Sequence, residues 1–438
     1  MRYTEREVLQ FVEENDVKFV KLMFCDVFGN LKAISVLSSE LPKIFKKGYA
    51  FDASDMDGFM GVYDSDLVLQ PVLDTLSLLP WRPQQGRVMR LFCSISYGDG
   101  SPFDGDGRHY LAQAVERARQ MGLDFKIGTS CEFYVFELDE KGMPTTIPHD
   151  RAGCCDVAPM DRGENLRRDI CMTLEQMEIY PESSRHEKGP GQNEIDFVSS
   201  SPLSAADNLV TFKNTVKSVS ARNGLYASFM PKPHEDKIGS SLKIIISCTK
   251  NGDDVFAQRN GCLNRFGDRM IGGLIKNLPA MTMFFNGVTN SYSRIGAIEP
   301  MKYISWTKYN LNAPIRLRRT SNGNGVAVCT PDNTCNPYFA LGLIINACLD
   351  GIANNYTAPD PVTEDISKAE NDVKNTFERL PENLCDAVKA AENSKFIKES
   401  LPEKMLKYTV SKKTEMCDEY KKAENKEEYE MKKYFGTL

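Results

Sequence analysis

The segment Ser184-Arg185-His186-Glu187-Lys188-Gly189-Pro190-Gly191-Gln192-Asn193-Glu194-Ile195-Asp196-Phe197 places three carboxylates, an imidazole and a Gly-Pro-Gly turn within fourteen residues. That density of charge excludes an ordinary core strand. Gly189, Pro190 and Gly191 bend the chain sharply, which predicts that Glu187 and Glu194 approach each other from two extended arms. Like charges that close repel unless a proton or a cation lies between them. An all-oxygen cluster suits a hard divalent ion, Mg2+ or Mn2+; a solvated hairpin with its acids in water is the plainer alternative.

The 438-residue chain is long enough for a sizeable core and two or three domains. Its formal net charge of -6 argues against nucleic acid as the main partner. The start, Met1-Arg2-Tyr3-Thr4-Glu5-Arg6-Glu7, is charged, and no stretch approaches the roughly 18 apolar residues of a membrane span. A cytoplasmic protein is expected. The thirteen cysteines are odd in number, scattered from Cys25 to Cys417 and never spaced C-x-x-C, so they read as reduced, small buried hydrophobes.

Periodicity predicts a short helix over 4–16, a hairpin around Asp26-Val27-Phe28-Gly29-Asn30, and further strands over 66–79 and 87–96. These form a small, mostly β domain, residues 1–104. Gly105-Asp106-Gly107 marks the boundary to a larger α+β domain, 105–438, with a large antiparallel sheet. There Glu132 lies on the aromatic face of a strand, where burial without a partner costs several kcal/mol. Residues 204–223 read as a helix capped by Ser204, and 337–354 as a core helix opened by Pro337. From Val362 onward, Lys, Glu and Asn with sparse leucines predict solvated helices.

The motifs Phe51-Asp52-x-Ser54, Pro80-Trp81, Asp156-x-Ala158-Pro159-x-Asp161, Phe229-Met230-Pro231-Lys232-Pro233, Asn290-Ser291-Tyr292-x-Arg294 and Asn336-Pro337-Tyr338-x-Ala340-Leu341 occur in one order. Through them the chain resembles a type I glutamine synthetase of the short form. The resemblance implies a β-grasp-like N-terminal domain and a catalytic domain built on a curved antiparallel sheet with helices. It also implies a ring-shaped homo-oligomer, a dodecamer, with active sites between neighbouring subunits. In the family one divalent metal orients the glutamate and ammonia chemistry, a second holds ATP phosphates, and γ-glutamyl phosphate is the intermediate.

The first-metal acids match Glu132, Glu187 and Glu194, and the glutamate contacts match Gly239 and Arg294. Asp52 matches the acid that helps bind and deprotonate ammonium, and Glu299 the acid on the closing loop; Arg316 and Ser247 are the nucleotide candidates. The second-metal ligands are replaced by Ser130, Lys243 and Ala327, and family arginines by Gly325, Cys329 and Leu311. Phosphoryl transfer depends on metal and arginine clamps. The replacements therefore predict a divergent protein with one divalent metal and a glutamate-like substrate, with ATP binding in doubt and ordinary ATP-dependent glutamine synthesis lost. Lys243 would serve as counter-ion to the three acids or as a base. Two alternatives remain: a working glutamine or γ-glutamyl-amide synthetase with a rebuilt nucleotide site, and a silent scaffold or sensor of nitrogen metabolism. On the like-charge argument, Glu194→Ala is expected to stabilise the metal-free protein.

Overall fold

Thr4 opens the first helix, Glu5–Glu14, through a capping box: its hydroxyl accepts the Glu7 N–H while the Glu7 carboxylate accepts the Thr4 N–H. The computed structural model describes residues 3–63, 65–259, 262–320 and 323–438. After the helix, the strands Val17–Cys25 and Leu31–Leu37 pair antiparallel about a turn in which Asp26 accepts the N–H groups of Phe28 and Asn30. Val17–Cys25 also pairs, in parallel, with Arg87–Ser96, which in turn pairs with Leu67–Pro71 and, at its other end, Ser77–Leu78. The expected single strand over 66–79 is thus split by the turn Leu73–Thr75 after Pro71. Helix on sheet gives a β-grasp-like domain, whose core packs the rings of Phe24, Phe51, Phe59 and Phe103 together, Phe59 stacked on Phe103 and edge-on to Phe24.

The larger domain is organised on Leu123–Leu138, a sixteen-residue strand at the middle of a curved, mostly antiparallel sheet. On one side lie Gln192–Ser200 and then Pro181–His186; on the other lie Leu242–Lys250, Gly323–Val328 and Ile315–Thr320. One face of this sheet is covered by helices, including Gly107–Gln120, Pro202–Arg222 and Pro337–Ala353, in a continuous apolar core. A helix Arg265–Phe285 packs on the last of these backbone to backbone, because a Cβ at Gly273 would lie 2.1 Å from the Ala347 carbonyl oxygen.

Two local expectations shift. The helix over the sheet is capped by Ser201, whose hydroxyl accepts the Ser204 N–H, and Pro202 takes the first helical position, where no N–H is needed. The C-terminal helix Glu403–Lys422 is not merely solvated, since Met405, Leu406 and Cys417 are buried on one stripe. Among the described residues no helix is long and apolar enough to cross a membrane.

Candidate active site

Strand register builds the site. Side chains of directly opposed residues, and of residues two apart on one strand, share a face. Glu132 is opposite Glu194, and Ser130 is opposite both Asp196 and Lys243. Arg185 is opposite Glu194 on the next strand, Ile245 is opposite Ala327, and Ala327 is opposite Arg316. The Gly-Pro-Gly turn then brings Glu187 beside Glu194, so that carboxylate oxygens of Glu132, Glu187 and Glu194 lie within 4.8 Å of one another. The acids converge as the hairpin reading expects, and they are buried rather than solvated.

Glu132 is held by the Ser241 N–H at 2.8 Å and its hydroxyl at 2.9 Å. Lys243 Nζ lies 3.1 Å from Glu132 Oε1 and 3.1 Å from Glu194 Oε1. Burial alone would lower the Lys243 pKa, but the two carboxylates more than offset it and favour the ammonium form. Glu194 Oε1 also accepts from the Ser130 hydroxyl and from Arg185 at 2.8 Å. Arg185 further pairs with Asp196 at 2.8 Å and Glu187 at 3.4 Å. Burial would raise the Glu194 pKa; the proton shared with Glu187, Lys243, Ser130 and Arg185 bring it down to about 2. Desolvation and the facing carboxylates of Glu194 and Glu132 push Glu187 up to about 7.

Behind this cluster, the fully buried His186 contacts the Asp150 carboxylate through Nε2 at 2.8 Å and the Glu187 carbonyl through Nδ1 at 2.6 Å. Both partners only accept, so both ring nitrogens carry protons. Asp150 also accepts the Gly191 N–H at 2.8 Å, which ties the turn down.

Arg294 is buried, 3.6 Å from Asp332, and donates Nη2 to Asn286 at 2.9 Å and to the Thr330 carbonyl. Gly239 abuts it: a Cβ there would meet Arg294 Cγ at 2.5 Å and the Pro231 carbonyl oxygen at 2.5 Å. Beside the acids opens a cavity of about 450 Å³, lined by Ser130, Arg185, Asp196, Ile245, Arg318 and Arg319 among others.

Other expected residues sit apart. Asp52 is exposed on the N-terminal domain and accepts from the Ser54 N–H and hydroxyl. Glu299 pairs with Lys374 at 3.0 Å. Ser247 lies on the Lys243 strand, two steps beyond Ile245 on the same face, with its hydroxyl 3.5 Å from the Lys126 carbonyl; Arg316 reaches Asn310 at 3.3 Å. Sequence reasoning assigned no role to Arg185, although its alternation with Glu187 placed both on one face. Asp150 was missed outright, since its partners lie 36 and 41 residues away.

The three glutamates fit a divalent ion. Glu194 Oε2 is buried and receives no ordinary N–H or O–H donor, so a proton on Glu187 or a cation satisfies it. A second ion does not fit: Ser130 is a neutral hydroxyl, Lys243 a cation, and Ala327 a methyl buried among Ile295, Met301 and Cys329. An ion at the first position displaces the Glu187 proton, so Mn2+ affinity is expected to rise from about pH 6 to pH 8, by about tenfold per unit below the Glu187 pKa. Calorimetry in buffers of different ionisation enthalpy reads the released proton; a flat profile would contradict the shared-proton geometry.

Family models match the chain twice, as glutamine synthetase β-grasp domain over residues 16–97 and glutamine synthetase catalytic domain over 104–434. The glutamine synthetase of Clostridium saccharobutylicum is 40% identical, covering 96% of each chain. That of Methanosarcina mazei is 38% identical over 99% of this chain and 98% of its own. A structure of GmaS in complex with ADP superposes with a TM-score of 0.85 at 25% identity and full coverage of both chains. The glutamine synthetase of Plasmodium falciparum shares the fold, with a TM-score of 0.85 at 20% identity over 98% of each chain.

These similarities overturn the expectation of lost ATP-dependent synthesis and the doubt about ATP. Whole-length identity to glutamine synthetases and full-length superposition on an ADP-bound neighbour favour the working-ligase alternative. Positive charge remains on this side of the sheet, where Lys243 lies beside Glu194 and Arg185, Arg318 and Arg319 line the neighbouring cavity.

Proposed function

The chain belongs to the glutamine synthetase family, and on that premise we propose that it is an ATP-dependent carboxylate–amine ligase forming glutamine or another γ-glutamyl amide. The observation that carries this reading is the convergence of Glu132, Glu187 and Glu194 beside a cavity edged with arginines. Glu132, Glu187 and Glu194 would hold Mg2+ or Mn2+, which when bound screens negative charge on the reacting carboxylate. Arg294, fixed by Asn286 and Asp332, receives a carboxylate of the amino-acid substrate, and Gly239 leaves it room to do so. Arg316 and Ser247 contribute to the nucleotide side, where ATP would pass its terminal phosphoryl group to the side-chain carboxylate, leaving ADP and an acyl phosphate whose carbonyl carbon the amine attacks, releasing phosphate.

Asp52 and Glu299 complete the reading as the acid supplied by a neighbouring subunit and the acid of a closing loop. Asp52 contacts no residue of its own chain's acid cluster and is solvent-exposed, which suits a site shared within a ring-shaped, cytoplasmic dodecamer. Light scattering should find that assembly; a monomer would remove the shared site.

The assay is purified protein with glutamate, ATP, Mg2+ or Mn2+, and either ammonium or a primary alkylamine, with ADP release and amide product followed together. Product with one of the amines is expected, and intact ATP and glutamate with all of them would overturn the reading. Gly239→Ala tests the substrate side. Its methyl must push Arg294 aside, an overpacking cost of about 1–3 kcal/mol, so KM for glutamate should rise about tenfold while metal binding is kept. An unchanged KM would separate Arg294 from the substrate.

A further inference from the structure

The position where a second divalent ion does not fit is not empty of charge. Lys243 Nζ bridges Glu132 and Glu194 at 3.1 Å each, and the Arg185 guanidinium reaches Glu194 from the opposite flank at 2.8 Å. Their strands stand on the two sides of the Leu123–Leu138 and Gln192–Ser200 pair, so both cations are anchored by sheet hydrogen bonding rather than by flexible loops. Ser130, the residue between them, contributes only a hydroxyl donated to Glu194. Ala327 closes the far side with an apolar wall.

We propose that the Lys243 ammonium, braced by Arg185 across Glu194, is a tethered cation that replaces a second divalent ion in this subunit and offers its remaining N–H to a phosphate oxygen of a nucleotide. An ammonium has three donors and no acceptor. Two are directed at Glu132 and Glu194, and the side chain retains 23% of its exposure at the edge of the cluster. A fixed lysine is a point charge suited to a phosphate. It also carries one positive charge where a metal carries two, and Arg185 makes up that deficit. The inference rests on the ligase reading for the identity of the nucleotide, but not for the ion count.

Its test is the number of Mn2+ ions bound per subunit by the full-length assembly without nucleotide, read by electron paramagnetic resonance, together with ADP affinity at saturating Mn2+. The wild type should bind one ion. Lys243→Met should bind Mn2+ at least tenfold more tightly, having lost a competing cation, and ADP at least tenfold more weakly. Lys243→Arg should keep the one-ion count and ADP affinity within about threefold, and it carries the test if the Met variant does not fold. Two ions per wild-type subunit, or unchanged Mn2+ and ADP affinities in Lys243→Met, would overturn the proposal. One ion per subunit with no amide formed would sink the ligase reading alone, whereas amide formation with two ions would sink this inference alone.

Discussion

In the presence of chelator, Glu194→Ala is expected to melt well below the wild type. Glu194 is fully buried and accepts from Arg185, Lys243 and Ser130. Removing it strands two cations in the same desolvated space, and breaking a buried pair by deleting one partner costs about 3–5 kcal/mol. The opposite result, a more stable variant, is what counting acids alone predicts, whereas Lys243 and Arg185 here compensate the repelling neighbours Glu132 and Glu187. The pH dependence has a definite sign. With its pKa depressed from 4.5 to about 2, Glu194 contributes stability that is present above pH 4.5 and lost as pH falls through about 2. Differential scanning calorimetry in chelator reads both effects, and a raised midpoint for Glu194→Ala would refute the pairing.

Arg294→Met is expected to raise KM for glutamate about a hundredfold or more while leaving Mn2+ binding near the wild-type value. Losing one member of a buried, hydrogen-bonded charge pair costs about 2–5 kcal/mol, and Arg294 has no near neighbour of its own charge among its contacts to replace it. The same change leaves Asp332, whose Oδ2 accepts no hydrogen bond and faces Arg294 as an ion pair at 3.6 Å, buried without that cation. A lowered melting midpoint is therefore expected alongside the kinetic loss. Arg294→Lys separates the two: it keeps a charge for Asp332 but loses the planar fork, so stability should recover more than KM does. If Arg294→Met leaves KM within twofold, the substrate carboxylate binds elsewhere.

Some of this site is legible in the chain because its causes are local. A Gly-Pro-Gly turn between two extended arms brings Glu187 and Glu194 together whatever lies around them, and Glu132 on an aromatic strand face announces an acid that needs a partner. The core helix opened by Pro337 and the capping box at Thr4 likewise follow from rules that act within a few residues. Arg185 shows where that reach stops. Its alternation with Glu187 sets its face, but its bonds to Glu194 and Asp196 depend on which strand lies alongside and in what register.

Lys243 makes the same point more sharply, since one step of register would turn it from the acids to the helical face. The chain by itself determined the family, the β-grasp and catalytic domains, and the three glutamates that suit a divalent ion. Only the tertiary structure decided which cations face those glutamates and what fills the place of the missing ligands. Backbone sterics and hydrophobic periodicity are short-ranged along the chain, whereas the electrostatics of a buried site sum over groups brought close in space from segments as far apart as Glu132 and Lys243.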